Sequence, residues 1–324
     1  MRHKSGSTGN LALLTVAMVA MALQPTYAQQ APTKPSADKI FRHGAVLTMD
    51  PHDRVAQAVA VRDGRILQVG SDDEISRLAG PKTQVVDLQG RTMLPGFYAA
   101  HDHFPTAGIE ALYEVDLRSP PLGKVQTLDD LVAALREKAL RTPKDGWIIG
   151  RGYDDTLIRE QRHPTRNDLD RASTEHPIWI THVSGHLGVA NSRALALARV
   201  TKETTVQGGV IRKDPATGGP NGVLEECRGL VERHVPVYSL EQRLEAVCWC
   251  DQHYLSQGVT TTVIAHGDER LICDLKEALD RGLLRLRVVS MLSAPKVEEK
   301  DALAAGLPAE RIHLTAAKLM ADGS

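Results

Sequence analysis

Aromatic residues are scarce, at 4% of the chain, and charge is balanced: 39 basic against 40 acidic side chains leave a formal net charge of -1. Few rings leave few platforms for stacking bases, and no long basic run offers a track for phosphates, so nucleic acid is not an expected partner. There are only four cysteines, Cys227, Cys248, Cys250 and Cys273, and their spacing dictates none of the three possible pairings. Cys248 and Cys250 lie in a stretch of helical pattern, where neighbours at i and i+2 diverge by about 200° and chelate poorly. Packed thiols or one structural bridge are expected. Long apolar runs are also missing: the one at residues 11–23 falls short of the roughly 20 residues that span a bilayer.

That run sits behind Arg2, His3 and Lys4 and ahead of Thr26-Tyr27-Ala28, the pattern of a signal peptide over 1–28 with cleavage before Gln29. The mature protein is then expected to be exported, periplasmic or secreted, without a stable membrane anchor. No cysteine lies near the cleavage point, which argues against a lipoprotein. Residues 29–37, rich in Gln, Pro, Thr and Ser, read as a flexible mature N-terminus.

From 38 to 94 short strand patterns recur at 45–49, 58–61, 65–69 and 84–87, with Asp63-Gly64 as a hairpin signal. This predicts a small β-domain. Beyond it, helix patterns at 240–256, 270–281 and 297–305 alternate with strand patterns at 259–265, 284–291 and 313–319. Such alternation predicts α/β architecture with parallel strands. Between them, from about 110 to 233, lies a long insertion with a helix at 128–141, strands at 147–150 and 178–183, a helix at 192–199, and Gly/Pro-rich loops such as 215–222. An insertion of this length at a strand end is expected to wall or cover a site.

The chemistry concentrates at Met93-Leu94-Pro95-Gly96-Phe97-Tyr98-Ala99-Ala100-His101-Asp102-His103-Phe104. On a strand, residues i and i+2 project from one face about 7 Å apart, so His101 and His103 can reach one ion. His266 ends the next strand pattern and falls at the same kind of position, where function concentrates in α/β folds. Other chemistries have less support. His182 and His186 have i,i+4 spacing, but Gly185 and the β-rich run before it oppose a helix, and the glutamate of a helical zinc motif is missing. Ser184 lacks the glycine of a nucleophile elbow, and the Gly-Gly pairs follow no phosphate-loop pattern. Asp154 and Asp155 are paired carboxylates that strand alternation would point opposite ways.

Gly90 to Phe97 with His101-Asp102-His103 resembles the first barrel strand of the amidohydrolase superfamily. The resemblance is to its amidohydrolase-3 branch of N-substituted formamide deformylase-like enzymes. Gly146 to Asp154, Ser184-Gly185-His186 with Asn191-Ser192, and Lys318 to Ser324 agree with that branch. One position departs, since Ala99 stands where the family usually has an aspartate. The resemblance implies an α/β fold holding about the first four strands of a TIM (β/α)8 barrel over 95–324. It also implies that the β-domain is part of a small β-sandwich and that the insertion follows barrel strand 1. A divalent metal, expected to be Zn²⁺ as one or two ions, would be held by His101, His103 and a carboxylated Lys318. His186 and His266 would contact substrate.

The implied activity is metal-dependent hydrolysis of a non-peptide carbon–nitrogen bond, amide or formamide-like, in a small-molecule substrate. The family's remaining ligands would fall beyond Ser324, so the chain is expected to be a fragment, inactive by itself. The alternatives are a non-catalytic remnant that binds a small molecule or a protein, and a half-barrel that completes itself by dimerising.

Overall fold

The structure is a computed structural model that describes residues 36–293, 298 and 300–319. The expected signal peptide, most of the flexible segment after it, the start of the helix expected at 297–305 and the last five residues of the Lys318 motif lie outside the described residues. The chain divides into two compact units, Met1–Pro95 and Gly96–Ser324.

In the first unit the described strands are β1 (Lys39–Arg42), β2 (Ala45–Leu47), β3 (Val55–Ala56), β4 (Ala58–Arg62), β5 (Arg65–Gly70), β6 (Gln84–Asp87) and β7 (Thr92–Met93), with one helix, α1 (Asp72–Ser76). They form a four-stranded sheet of order β5-β4-β1-β6 and a three-stranded sheet of order β3-β2-β7. The β4–β5 hairpin turns on Asp63 and Gly64, both left-handed at φ 50° and 71°, which matches strand twist in a two-residue turn. Ile75 of α1 is fully buried and packs with Ile40, Ala58 and Ala60.

The second unit holds two further sheets. The first is all parallel, order β17-β16-β15-β8, built from β8 (Phe97–Asp102), β15 (Val259–Gly267), β16 (Arg287–Ser293) and β17 (Ile312–Lys318). Helices α2 (Thr106–Tyr113), α7 (Leu240–Ser256), α8 (Glu269–Asp280) and α9 (Lys300–Ala304) belong to the same layer pair. Ile264, Val288, Leu292, Ile312 and Leu314 alternate onto one sheet face and are buried with Leu244, Val247, Ile272 and Leu275 of the helices. Each such side chain contributes about 1.5–3 kcal/mol on leaving water. A Cβ at Gly108 would collide with the Ala246 carbonyl, so this glycine lets α2 lie close against α7.

The insertion is more ordered than its glycines and prolines predict. Strands β9 (Val115–Asp116), β10 (Ile148–Tyr153), β11 (Ile178–His182), β12 (Leu187–Ala190), β13 (Val210–Lys213) and β14 (Pro220–Glu225) form one mixed sheet of order β13-β14-β12-β11-β10-β9. Ile148, Ile178 and Ile180 pack under α3 (Leu128–Ala139) and α4 (Arg166–Asp170), and Ile149 and Trp179 point the other way, against α5 (Ser192–Leu197) and α6 (Gly229–Glu232). Both faces are therefore core. The expectation of a loop over 215–222 is corrected, because β14 begins at Pro220, where the ring's missing N–H costs one ladder bond at a strand's first residue. All four cysteines are free thiols: Cys227 and Cys250 are packed in the core, Cys248 is half-buried and Cys273 is exposed, so the expectation of packed thiols holds for two of them.

Asn191 ties the insertion together and accounts structurally for the Asn-Ser pair in the motif. It is fully buried. Its Oδ1 accepts from the N–H groups of Ile178 and Ala194 at 2.9 Å each, capping α5, and its Nδ2 donates to the carbonyls of Ser173 and His176 at 3.0 and 2.9 Å. Asn191→Ala strands these backbone groups in the core and is expected to lower stability by about 3 kcal/mol. Urea denaturation measures this, and a loss under about 1 kcal/mol would show that water replaces the side chain.

Candidate metal centre

Register and hydrogen bonds fix where Asp102, at the end of β8, points. Asp102 pairs in register with Ile264, whose side chain is in the helix-side core. Its Oδ2 accepts from Thr262 Oγ1 at 2.7 Å, Tyr254 of α7 hydrogen-bonds to the same carboxylate, and its Oδ1 accepts from the His103 N–H at 2.7 Å. With Asp102 turned to the helices, His101 and His103 are exposed, their ring centroids 5.5 Å apart and their planes at 74°. Ala99 pairs in register with Thr262, whose hydroxyl bonds Asp102, so a register shift in β8 puts Ala99 on the Asp102 face, where it supplies only a methyl group.

The remaining sheet residues follow from register. His266 is the penultimate residue of β15, and its Nε2 lies 3.1 Å from Oγ of Ser293, the last residue of β16. Ser293 pairs with Lys318, the last residue of β17, which is half-buried. His101, His266, Ser293 and Lys318 thus lie along one edge of the sheet, at the carboxyl ends of four parallel strands. His103 and His266 line one cavity of about 240 Å³. Lys318 is three strands from His101, about 14 Å along a flat sheet. The pairings β8–β15, β15–β16 and β16–β17 each contain a register shift, the irregularity that bends and twists a sheet.

His103 also borders a second cavity, of about 510 Å³, with Thr106 and Glu110 of α2 on one side and Arg151, His182 and Arg228 of the insertion on the other. Burial pushes the Glu110 carboxyl up, against the pull of Arg151 and Arg118, which stand 3.9 and 3.6 Å away. Arg151 is also paired with Glu114, whose side chain is 2% exposed. His186 lies just past the lining residue Gly185, and its Nδ1 is 3.0 Å from Oε1 of Glu226. His182 is the histidine of this segment that reaches the cavity.

Sequence reasoning weighed His182, Asp154 and Asp155 and set them aside, and it did not single out His163. At the end of β10 the strand stops at Tyr153, so Asp154 and Asp155 escape alternation and both approach His182. Asp155 Oδ1 lies 3.1 Å from His182 Nε2 and 3.5 Å from His163 Nδ1, and the Tyr153 hydroxyl is 3.3 Å from the same His163 nitrogen. Their signal was the Tyr-Asp-Asp run directly after a strand, which the sequence shows but the rule of strand alternation discounts.

Exposed imidazoles at the end of β8, with an amine farther along the same sheet edge, are of the types that hold a divalent cation: imidazole suits zinc, and a lysine gives an oxygen ligand once carboxylated. Parallel strands joined through helices, with titratable groups gathered at their carboxyl ends, define an α/β protein whose working surface is that edge. The model of the amidohydrolase family matches residues 84–324, and the chain belongs to that family, in its amidohydrolase-3 branch. It is 37% identical over 191 residues to an N-substituted formamide deformylase of Arthrobacter pascens, covering 59% of this chain and 34% of that protein. It is 30% identical over 227 residues to the putative amidohydrolase YtcJ of Bacillus subtilis (strain 168), covering 69% of this chain and 39% of that one. The chain therefore spans well under half the length of these relatives. In fold it is similar to an uncharacterized metal-dependent hydrolase from Pyrococcus furiosus, with a TM-score of 0.64 and 22% identity over 88% of this chain and 57% of that one.

The raised pKa of Glu110 means the folded protein holds this proton more firmly than the unfolded chain does. The stabilising contribution is full below the ordinary carboxyl value of 4.5 and is lost as pH rises through the folded value. Relative to Glu110→Gln, the wild type should accordingly lose stability as pH rises above the ordinary carboxyl value of 4.5 in urea titrations. A difference that stays flat as pH rises would mean the arginines cancel the cost of burial.

Proposed function

We propose that this protein is a metal-dependent hydrolase acting on a non-peptide carbon–nitrogen bond, amide or formamide-like, of a small molecule. The observation that carries this reading is the alignment of His101, His103 and Lys318 along the carboxyl edge of one parallel sheet, in a chain of the amidohydrolase family. The relative named as an N-substituted formamide deformylase supports the bond type. In this reading the four-stranded sheet is the first part of a TIM (β/α)8 barrel. Its register shifts begin the curl that turns a separation of about 14 Å along the sheet into a shared central position. The β-domain belongs to a small sandwich, and the protein works outside the cytoplasm once residues 1–28 are removed.

His101 and His103 would hold the cation through neutral imidazoles, and Asp102, bonded to the His103 N–H, fixes the turn that separates them. Lys318 would join after its neutral amine adds to carbon dioxide, forming an N–C bond with loss of a proton to leave a carbamate. A bound divalent ion lowers the pKa of water and polarises a carbonyl. His266, held by Ser293 at 3.1 Å, stands where it can orient the substrate, and the insertion excludes solvent from one side. His186 is assigned a supporting place in the wall through its pair with Glu226.

The full-length gene product should carry about one or two equivalents of zinc by elemental analysis and release amine from an N-substituted formamide. His101→Ala with His103→Ala should cut kcat by about a thousandfold or more and lower metal content. Metal-free full-length protein, or unchanged turnover in the double variant, would leave the non-catalytic binding module as the better account.

A further inference from the structure

Beyond the barrel edge, we infer that the insertion carries its own divalent-cation site, formed by Asp154, Asp155 and His182 with His163 beside them. Ligand atoms of Asp154, Asp155 and His182 all lie within 4.8 Å of one another. They come from two chain segments, the end of β10 and the end of β11, and His163 adds a third. Tetrahedral zinc with bonds of about 2.0–2.1 Å separates its ligands by roughly 3.3 Å. The 3.1 Å from His182 Nε2 to Asp155 Oδ1 and the 3.5 Å from His163 Nδ1 to the same oxygen bracket that spacing.

The second observation is an unsatisfied nitrogen. His182 Nε2 is buried and makes no hydrogen bond among the described residues, although Asp155 Oδ1 stands 3.1 Å from it as an ion-pair contact. A buried polar atom left in this state costs about 1–3 kcal/mol, and a cation placed between nitrogen and carboxylate removes the cost. Ser184 is arranged for either condition of the ring. Its backbone N–H donates to Nδ1 at 3.1 Å, and its hydroxyl oxygen stands 2.9 Å from the same nitrogen, ready to accept the Nδ1 proton once Nε2 gives its lone pair to a metal.

Asp155 Oδ1 stands between the two imidazoles, and Asp154 Oδ1 accepts from the N–H and hydroxyl of Thr156 at 2.9 and 2.7 Å. Two imidazoles and two carboxylates suit a divalent transition metal such as Zn²⁺ better than Ca²⁺ or Mg²⁺, which prefer oxygen alone. Loaded, the site would lock β10, β11 and the His163 loop together where His182 meets the larger cavity. It shares no ligand with the edge that bears His101, His103 and Lys318, and it stands whether or not that edge binds metal.

The test is Zn²⁺ content and calorimetric Zn²⁺ titration of the full-length protein. Asp155→Asn with His182→Gln should lower bound zinc by about one equivalent relative to wild type, with His101 and His103 intact. The His101→Ala, His103→Ala protein should still bind Zn²⁺ at the insertion and should show a metal-dependent rise in Tm, which the two insertion substitutions abolish. Cobalt absorption in the His101→Ala, His103→Ala protein, altered by His163→Gln, gives a readout that does not require the insertion double variant to fold. Zinc content, Tm response and cobalt spectrum all indifferent to Asp155, His182 and His163 would overturn the site and leave a hydrogen-bonded cluster only.

Discussion

The carboxylate of Asp102 is the constraint from which the rest of the candidate centre follows. It is caught between Thr262 of the neighbouring strand, Tyr254 of the helix behind and the N–H of His103 ahead. A strand end frays unless something holds it, and a frayed end would let His101 and His103 exchange faces. With Asp102 drawn to the helix side, His101 and His103 are left exposed, their ring centroids 5.5 Å apart. The parallel ladder then carries the consequence across the sheet, since register alone brings His266, Ser293 and Lys318 to the same edge.

The insertion solves a different problem. A wall beside a site must be stiff, yet it has to be built from a segment that interrupts the barrel order. Here the stiffness comes from a sheet buried on both faces, with Ile148 and Ile149, or Ile178 and Trp179, feeding opposite cores. Asn191 fastens one helix to that sheet without leaving a buried amide unpaired. His182 at the end of β11 is therefore presented from a rigid strand, and so is Arg151 on β10. That is why these two meet the larger cavity while His186, beyond the Gly185 turn, pairs with Glu226.

What could be read in the sequence divides along the range of the forces involved. The His101–His103 pair, the Asp63-Gly64 turn and the helix over 240–256 were legible because each depends on local periodicity or local backbone sterics. β12 and β14 were not, because Gly188 and Pro220 argue against strands by propensity, and only pairing with β11 and with each other overrides it. Gly188 is in fact required there, since a Cβ would collide with the Trp179 ring. The Asp155–His182 contact joins residues 27 apart that meet only when β10 and β11 pair in parallel. No spacing rule could have found it.

The same pairing explains why that contact is polar at all. Parallel strands put both carboxyl ends at one side, so whatever follows β10 and whatever closes β11 must share space there. Tyr153, fully buried just before Asp154, anchors the turn from below while its hydroxyl stays 3.3 Å from His163. Apolar residues in these places would have sealed the strand ends into the core beneath α3. Carboxylates and imidazoles instead pair with one another there, and His182 reaches from the cluster to the cavity. Burial pushes the His163 imidazole below its ordinary value, with desolvation the largest cause. The cluster is thus the chemical price of stopping two parallel strands at a wet cavity, and its composition follows from where those strands end.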